Sequence, residues 1–128
     1  MAEPLYLLDS NICIYVLEAL SVEAKRRIEA CRPGELVTSA VAYAEVMRGI
    51  DTNNRSAAGE VEALFRIIEV LPFDRKVADA YLSIPFKRTS YDRLIAAHAL
   101  ALGLIFITNN ERDFADVPGL KVENWTKT

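Results

Sequence analysis

The chain has 128 residues, and its hydrophobic fraction of 52% is sufficient to form one domain with a substantial core. No apolar run reaches the roughly 18 residues that cross a bilayer, and the N-terminus lacks the basic region and cleavage site of a signal peptide. We therefore expect a cytoplasmic protein without membrane contact. The net charge of −3 argues against a broad phosphate-binding surface. Local basic surface patches remain possible at Lys25–Arg27, at Lys87–Arg88 and at Arg93.

Short apolar runs rich in β-branched or aromatic residues alternate with stretches of helical periodicity. In chain order, the predicted elements are a strand (Leu5–Leu8), a helix after Asp9, a helix (Val22–Cys31), a strand (Glu35–Thr38), two helices (Ser39–Ile50 and Ser56–Ile68), a strand (Glu69–Leu71), two helices (Asp74–Leu82 and Ser90–Leu102), and two strands (Leu104–Thr108 and Lys121–Asn124). Gly103 stands where helices commonly end.

This alternation predicts crossover connections and a mainly parallel sheet. The expected fold class is α/β, a three-layer α/β/α sandwich with a central sheet of four to five strands. Internal repeats, low-complexity tracts and Pro/Gly/Ser linkers are absent from the sequence, so residues 1–128 are expected to form a single domain.

Four acidic residues are expected at one edge of this sheet. Asp9 directly follows the first strand, and Asp113 follows the fourth after a short turn. Glu45 lies in an apolar helix after the second strand, with little obviously solvated face around it. Asp92 opens the helix that leads into the fourth strand, so it begins where the parallel strands end. Ligands of open parallel sheets bind at this carboxyl edge.

Each acid also has a structural alternative. The alternatives are a helix cap at Asp9, a capping box from Thr89 to Asp92 or a favourable interaction of Asp92 with the helix dipole, an ion pair of Glu45 with Arg48 or another base, and a surface turn at Asp113. Four carboxylates at one edge would repel one another, and a divalent cation would relieve the repulsion. A site of oxygen ligands suits Mg²⁺ or Mn²⁺ better than zinc, and its usual chemistry is phosphoryl transfer or phosphodiester hydrolysis.

The histidine and the two cysteines, which could also bind a metal, are expected to be packed in the interior instead. The single His98 cannot supply a zinc cage and is expected to be a core histidine. Cys13 and Cys31 lack metal-ligand spacing and are expected to be buried thiols. A phosphate loop of the GxxxxGK[ST] kind is absent, which argues against an NTP substrate.

Five segments together resemble the PIN-domain ribonucleases, and more closely the VapC-type toxins of bacterial toxin–antitoxin pairs. In chain order they are YLLDSNICIYVL, SAVAYAEVMRGI, YDRLIAAHAL, LIFITNNERDF and VPGLKVENW. The resemblance covers nearly the whole chain. It assigns the four acids of the family to Asp9, Glu45, Asp92 and Asp113, and the small polar residue near the first acid to Asn11.

The resemblance implies an endoribonuclease that depends on Mg²⁺ or Mn²⁺, forms a homodimer and is inhibited by a VapB-type antitoxin. We expect Asp9, Glu45 and Asp92 to hold one metal, and Asp113 to complete its shell or add a second. Asn11 and Thr108 are expected to position ligands or phosphate.

Two features depart from the family pattern. The segment Ser83–Tyr91 is shorter than usual, and the family often carries a basic loop there. The fourth acid has two competitors, Glu111 and Asp116. We favour Asp113 because it precedes Phe114, which could anchor the turn to the core.

Three other functions match parts of this sequence pattern. Arg93 and His98 form the R-x₄-H pattern of the all-helical, metal-independent HEPN ribonucleases, which the predicted strands contradict. A haloacid-dehalogenase-like phosphatase would need an aspartate where Asn11 stands. A non-catalytic module could instead use the acids to bind a basic peptide.

Overall fold

The computed structural model describes residues 2–50, 55–88 and 90–127. Across these residues the chain forms β1 (Tyr6–Leu8), α1 (Ser10–Leu17), α2 (Val22–Ala30), β2 (Leu36–Ser39), α3 (Ala40–Arg48), α4 (Arg55–Ile67), β3 (Glu69–Leu71), α5 (Arg75–Tyr81), α6 (Tyr91–Leu102), β4 (Ile105–Ile107), a short 3₁₀ turn (Glu111–Phe114) and β5 (Lys121–Glu123). None of the helices in these ranges is long and apolar enough to cross a membrane.

The five strands form one parallel sheet in the order β3-β2-β1-β4-β5. All carboxyl ends therefore lie at the same edge, which we call the carboxyl edge. The chain adds β2 and β3 on one side of β1 and then β4 and β5 on the other. The connections diverge between β1 and β4, and such a switch point opens a crevice at the carboxyl edge.

Apolar side chains of the sheet alternate between its two faces. Leu8 and Ile107 pack with residues of α1, α2 and α4, including Ile12, Ile28 and Leu64. On the opposite face, Leu7, Val37 and Phe106 pack with the apolar side of α6 and with the segments that contain Ile84 and Phe114. Helices thus cover both faces, which confirms the predicted α/β/α sandwich.

The predicted elements are all present, with bounds that differ by one or two residues. Capping accounts for several of the differences, because Ser39 and Asp74 cap α3 and α5 with their side chains and so lie outside the helices. Gly103 ends α6 in the left-handed conformation, with a φ of 68°.

Two expectations about burial were wrong in part. Only Ala42 and Val46 of α3 are buried, whereas Tyr43 and Met47 are exposed, so the helix offers much more surface than its apolar sequence indicated. Cys13 is fully buried as expected, but Cys31 is only half-buried. Both cysteines are free thiols.

Candidate active site at the carboxyl edge

Asp9 connects the end of β1 to the start of α1. Its amide N–H donates to the carbonyl oxygen of Ile107 on β4, at 2.9 Å. Its carboxylate Oδ1 accepts from the backbone N–H of Ser10 at 2.8 Å, and Oδ2 accepts from the hydroxyl of Thr108 at 3.0 Å. The predicted helix cap is therefore correct, but the contact with Thr108 also fixes the carboxylate at the switch point.

The carboxylate of Asp9 is in an environment that disfavours its charge. The side chain has no solvent exposure, and this burial is the main reason why its pKa rises to about 7. The negative charge of Asp92 raises the pKa further, and that of Glu45 adds a smaller effect. The hydrogen bonds from Thr108 and Ser10 lower it, but they do not offset burial.

Ser10 joins the first two acids. Its hydroxyl donates to Oε1 of Glu45 at 3.2 Å and lies 3.5 Å from Oδ1 of Asp9. This contact could not be predicted from the sequence, because a serine between an Asp and an Asn is typical of an ordinary helix start. Glu45 is half-buried, and burial raises its pKa, with a further contribution from Asp92. The alternative ion pair with Arg48 does not form.

Replacement of Glu45 by Gln should leave the metal-free protein as stable as the wild type or stabilise it. Folding raises the pKa of Glu45, so the protonated carboxyl at low pH stabilises the folded protein. This stabilisation is lost as the pH rises through the folded-state pKa. Near neutral pH the variant removes a repelling charge, and its amide oxygen can still accept from Ser10.

Thermal unfolding in EDTA would measure this effect. The matched control Glu62→Gln removes an exposed carboxylate paired with Arg66 and should change the free energy of unfolding by less than about 0.5 kcal/mol. A large drop in melting temperature for Glu45→Gln alone would show that the charge is structural.

Asp92 occupies the first turn of α6 and is half-buried. The capping-box alternative is wrong: α6 begins at Tyr91 with Ser90 as its N-cap, so Asp92 is the second helical residue rather than the third. Ser90 makes no capping hydrogen bond with its side chain, and Thr89 lies outside the described residues. Burial raises the pKa of Asp92, and the charge of Asp113 raises it further.

Asp113 lies exposed in the 3₁₀ turn and accepts a hydrogen bond from the side-chain amide of Asn110. The next residue, Phe114, is buried and packs edge-to-face on Phe106, which confirms the predicted anchor. Both competing acids are engaged elsewhere, since Glu111 pairs with Lys127 and Asp116 with Arg93. The geometry therefore favours Asp113 as the fourth acid, and its role stays a prediction.

Arg93 lies beneath this turn and not on the surface. Its guanidinium is 1% exposed and donates to the carbonyl oxygens of Pro85 at 2.8 Å and Asp113 at 2.7 Å, and to Oδ1 of Asp116 at 2.7 Å. The basic surface patch that the sequence left possible at Arg93 is therefore not formed. His98 is 1% exposed and packs edge-to-face with Phe73, as expected for a core histidine, and a HEPN pair is excluded in this fold.

The donor set fits a magnesium-like cation. The four carboxylates supply oxygen only, and in the described ranges none of them forms a salt bridge with Lys or Arg. Across the same residues, no three acidic, His or Cys side chains are already gathered closely enough to hold an ion. Mg²⁺ keeps several waters and needs only one or two protein carboxylates, so it suits such an open arrangement. Asn11 lies half-buried in the first turn of α1.

Comparison with known proteins is consistent with this geometry. The sequence pattern of the PIN domain matches residues 6–120. The chain is 30% identical to the tRNA(fMet)-specific endonuclease VapC of Shigella flexneri, over 94% of this chain and 98% of that protein. It is 31% identical to ribonuclease VapC2 of Haemophilus influenzae strain Rd, over 94% of this chain and 97% of that protein.

Solved structures of VapBC complexes contain chains with the same fold. The structure of DNA-bound VapBC from Salmonella typhimurium contains a chain that superposes with a TM-score of 0.83 at 26% identity, covering 95% of this chain and 98% of that one. VapBC-1 from nontypeable Haemophilus influenzae gives 0.78 at 28% identity, covering 96% and 99%. This chain is a PIN-domain protein and belongs to the VapC family.

Proposed function

We propose that the protein is an endoribonuclease that requires Mg²⁺ or Mn²⁺ and acts as the toxin of a toxin–antitoxin pair. The observation that carries the proposal is the group of four carboxylates at the carboxyl edge, where the pKa values of Asp9, Glu45 and Asp92 are all raised. A divalent cation is the simplest partner for such a group. The VapC relatives named as ribonuclease and endonuclease support RNA as the substrate.

The proposed roles follow from the contacts of each side chain. Thr108 and the amide of Ser10 fix the orientation of Asp9, and the Ser10 hydroxyl holds Glu45 toward it. Asp92 approaches from α6, and Asp113 completes this set or serves a second ion. A bound cation would lower the pKa of an attacking water and neutralise the phosphodiester oxygens. Asn11 and Thr108 would position ligands or phosphate.

A cleavage assay tests the proposal. Single-stranded RNA should be cut when Mg²⁺ or Mn²⁺ is supplied, and cleavage should stop in EDTA. Asp92→Asn keeps the size of the side chain but removes its charge, so it should abolish most of the activity. Glu29→Gln removes a carboxylate from a cavity wall at the opposite edge, which also contains the start of β2, and should retain activity. Full cleavage by Asp92→Asn, or in EDTA, would contradict the mechanism. RNA binding without cleavage would favour an acidic binding module.

The proposal includes the regulation of the protein. The related solved complexes are named VapBC, toxin and antitoxin together, and we extend this pairing with a VapB-type antitoxin to the present chain. A cavity of about 500 Å³ between α3 and α4, lined by Tyr43, Met47 and Phe65, offers apolar surface that a protein partner could cover. Homodimerisation and a cytoplasmic location belong to the same proposal.

A further inference from the structure

Three aromatic side chains surround a small cavity beside Asp92. Its volume is about 240 Å³, and its walls are formed by Tyr81, Phe86, Lys87, Ser90, Tyr91 and Leu94. Phe86 is 76% exposed and Tyr91 is 62% exposed, although both are large apolar groups. Exposed aromatic surface that is grouped around one cavity often marks a binding site.

A buried contact anchors one wall of the cavity. Arg93 donates to the carbonyl oxygen of Pro85, the residue before Phe86, and thereby ties this segment to the first turns of α6. Tyr91 is fixed by its place in the same helix, directly before Asp92. The two aromatic side chains are therefore presented from a preorganised backbone, which reduces the entropic cost of binding a ligand between them.

The chemistry of the cavity suits a nucleobase. Aromatic faces stack with bases of any sequence, and a nearby cation meets the phosphates of the strand. Lys87 is exposed and contributes to the cavity wall, so positive charge and aromatic surface occur together. The cavity has room for a single ring system and not for a helix or a strand of another protein. Tyr91 directly precedes Asp92 on α6, so an RNA strand bound at the acidic group would be close enough to reach the cavity.

We propose that this aromatic cavity binds one unstacked base of single-stranded RNA next to the cleaved phosphodiester, with Phe86 and Tyr91 as the stacking surfaces and Lys87 at the neighbouring phosphate. The inference rests on the proposed ribonuclease function and adds a subsite to it. The subsite selects single-stranded substrate, because a base within a duplex cannot enter the cavity.

Equilibrium binding would test the subsite separately from cleavage. Fluorescence anisotropy in EDTA, where no cleavage is expected, would compare the affinities for two strands. One is a short single-stranded RNA, and the other has the same phosphates but abasic sugars. Phe86→Ala and Tyr91→Ala should each weaken binding of the normal strand about tenfold and leave binding of the abasic strand unchanged. Lys87→Ala should weaken both strands equally.

Matched variants separate stacking from general apolar contact. Phe86→Tyr keeps an aromatic face and should restore binding, whereas Phe86→Leu keeps apolar volume only and should not. Leu20→Ala removes an exposed apolar side chain at the loop between α1 and α2 and should bind both strands as the wild type does.

The possible results are distinguishable. Wild-type binding of the normal strand with no loss in Phe86→Ala and Tyr91→Ala would overturn the subsite and leave the ribonuclease proposal intact. Equal losses on the two strands in Phe86→Ala or Tyr91→Ala would also overturn it. A change in sedimentation behaviour without a change in RNA binding would assign the aromatic residues to self-association instead. Loss confined to the normal strand would support the subsite. If the wild type also failed to cut RNA when Mg²⁺ or Mn²⁺ was supplied, the ribonuclease proposal alone would be contradicted.

Discussion

We expect Asp9→Asn to unfold at a higher temperature than the wild-type protein at about pH 8 when no divalent cation is present. Asn is also a good helix cap, and its side-chain oxygen can accept from Thr108 or Ser10, so the substitution removes charge and little else. The wild-type carboxyl has its pKa raised from 3.8 to about 7, chiefly by burial. This difference corresponds to a gain of up to about 4 kcal/mol in the free energy of unfolding.

The pH dependence follows from the direction of the change. A carboxyl whose pKa is raised by folding stabilises the protein at low pH, and this contribution is lost as the pH rises from about 4 to about 7. The difference between wild type and Asp9→Asn should therefore be greatest above about pH 7 and should narrow toward about pH 4. Urea unfolding of both proteins across this range would measure it, and a constant difference would show that Asp9 is not titrating as described.

The same variant should lose function as it gains stability. Adding Mg²⁺ should raise the melting temperature of the wild type but not that of Asp9→Asn, because a ligand stabilises only the state that binds it. RNA cleavage should fall by about 100-fold or more, as when one preorganised electrostatic group is removed from other active sites. A stable variant that still cleaves RNA would show that Asp9 serves only as a helix cap.

Arg93→Met should lower the free energy of unfolding by about 3 kcal/mol. Met fills much of the space but leaves the carbonyl oxygens of Pro85 and Asp113 without their donor, while the 48% exposed side chain of Asp116 can be hydrated. Cleavage should fall as well, because the turn that contains Asp113 loses its attachment to α6. Chemical denaturation and the cleavage assay together would test this.

An exposed arginine provides the control. Arg66 pairs with Glu62 on α4, and both side chains are largely exposed to solvent, at 73% and 69%. Arg66→Met should change the free energy of unfolding by less than about 1 kcal/mol and leave cleavage unchanged. Equal effects of the two substitutions would mean that the buried contacts of Arg93 contribute little.

The sequence predicted the order and type of the elements because the signals were local. β1 and β4 are short apolar runs between turn residues, and Ser39, Asp74 and Gly103 occupy capping positions. The parallel arrangement followed from the alternation of strands and helices. These local signals were sufficient to expect Asp9, Glu45 and Asp92 near one another at the carboxyl edge.

The contacts that hold the site together could not be predicted in this way. The hydroxyl of Ser10 contacts Glu45 across 35 positions of sequence, and Arg93 contacts Asp116 across 23. Neither residue type indicates such a partner, since most serines and arginines are solvated. The sequence therefore suggested a surface arginine where the structure has a buried one. The aromatic cavity was missed for the same reason, because it depends on how the segment before α6 folds back.

The contact between Asp9 and Thr108 has a consequence for synthesis of the chain. These two residues are 99 positions apart, and the amide of Asp9 also requires the carbonyl of Ile107 on β4. Three of the four acids are synthesised before β4, and until β4 has been made β1 lacks one neighbour and Asp9 lacks its hydroxyl partner. A nascent chain therefore cannot assemble the complete acidic edge. The proposed ribonuclease would therefore need β4 and Thr108 as well as the first three acids.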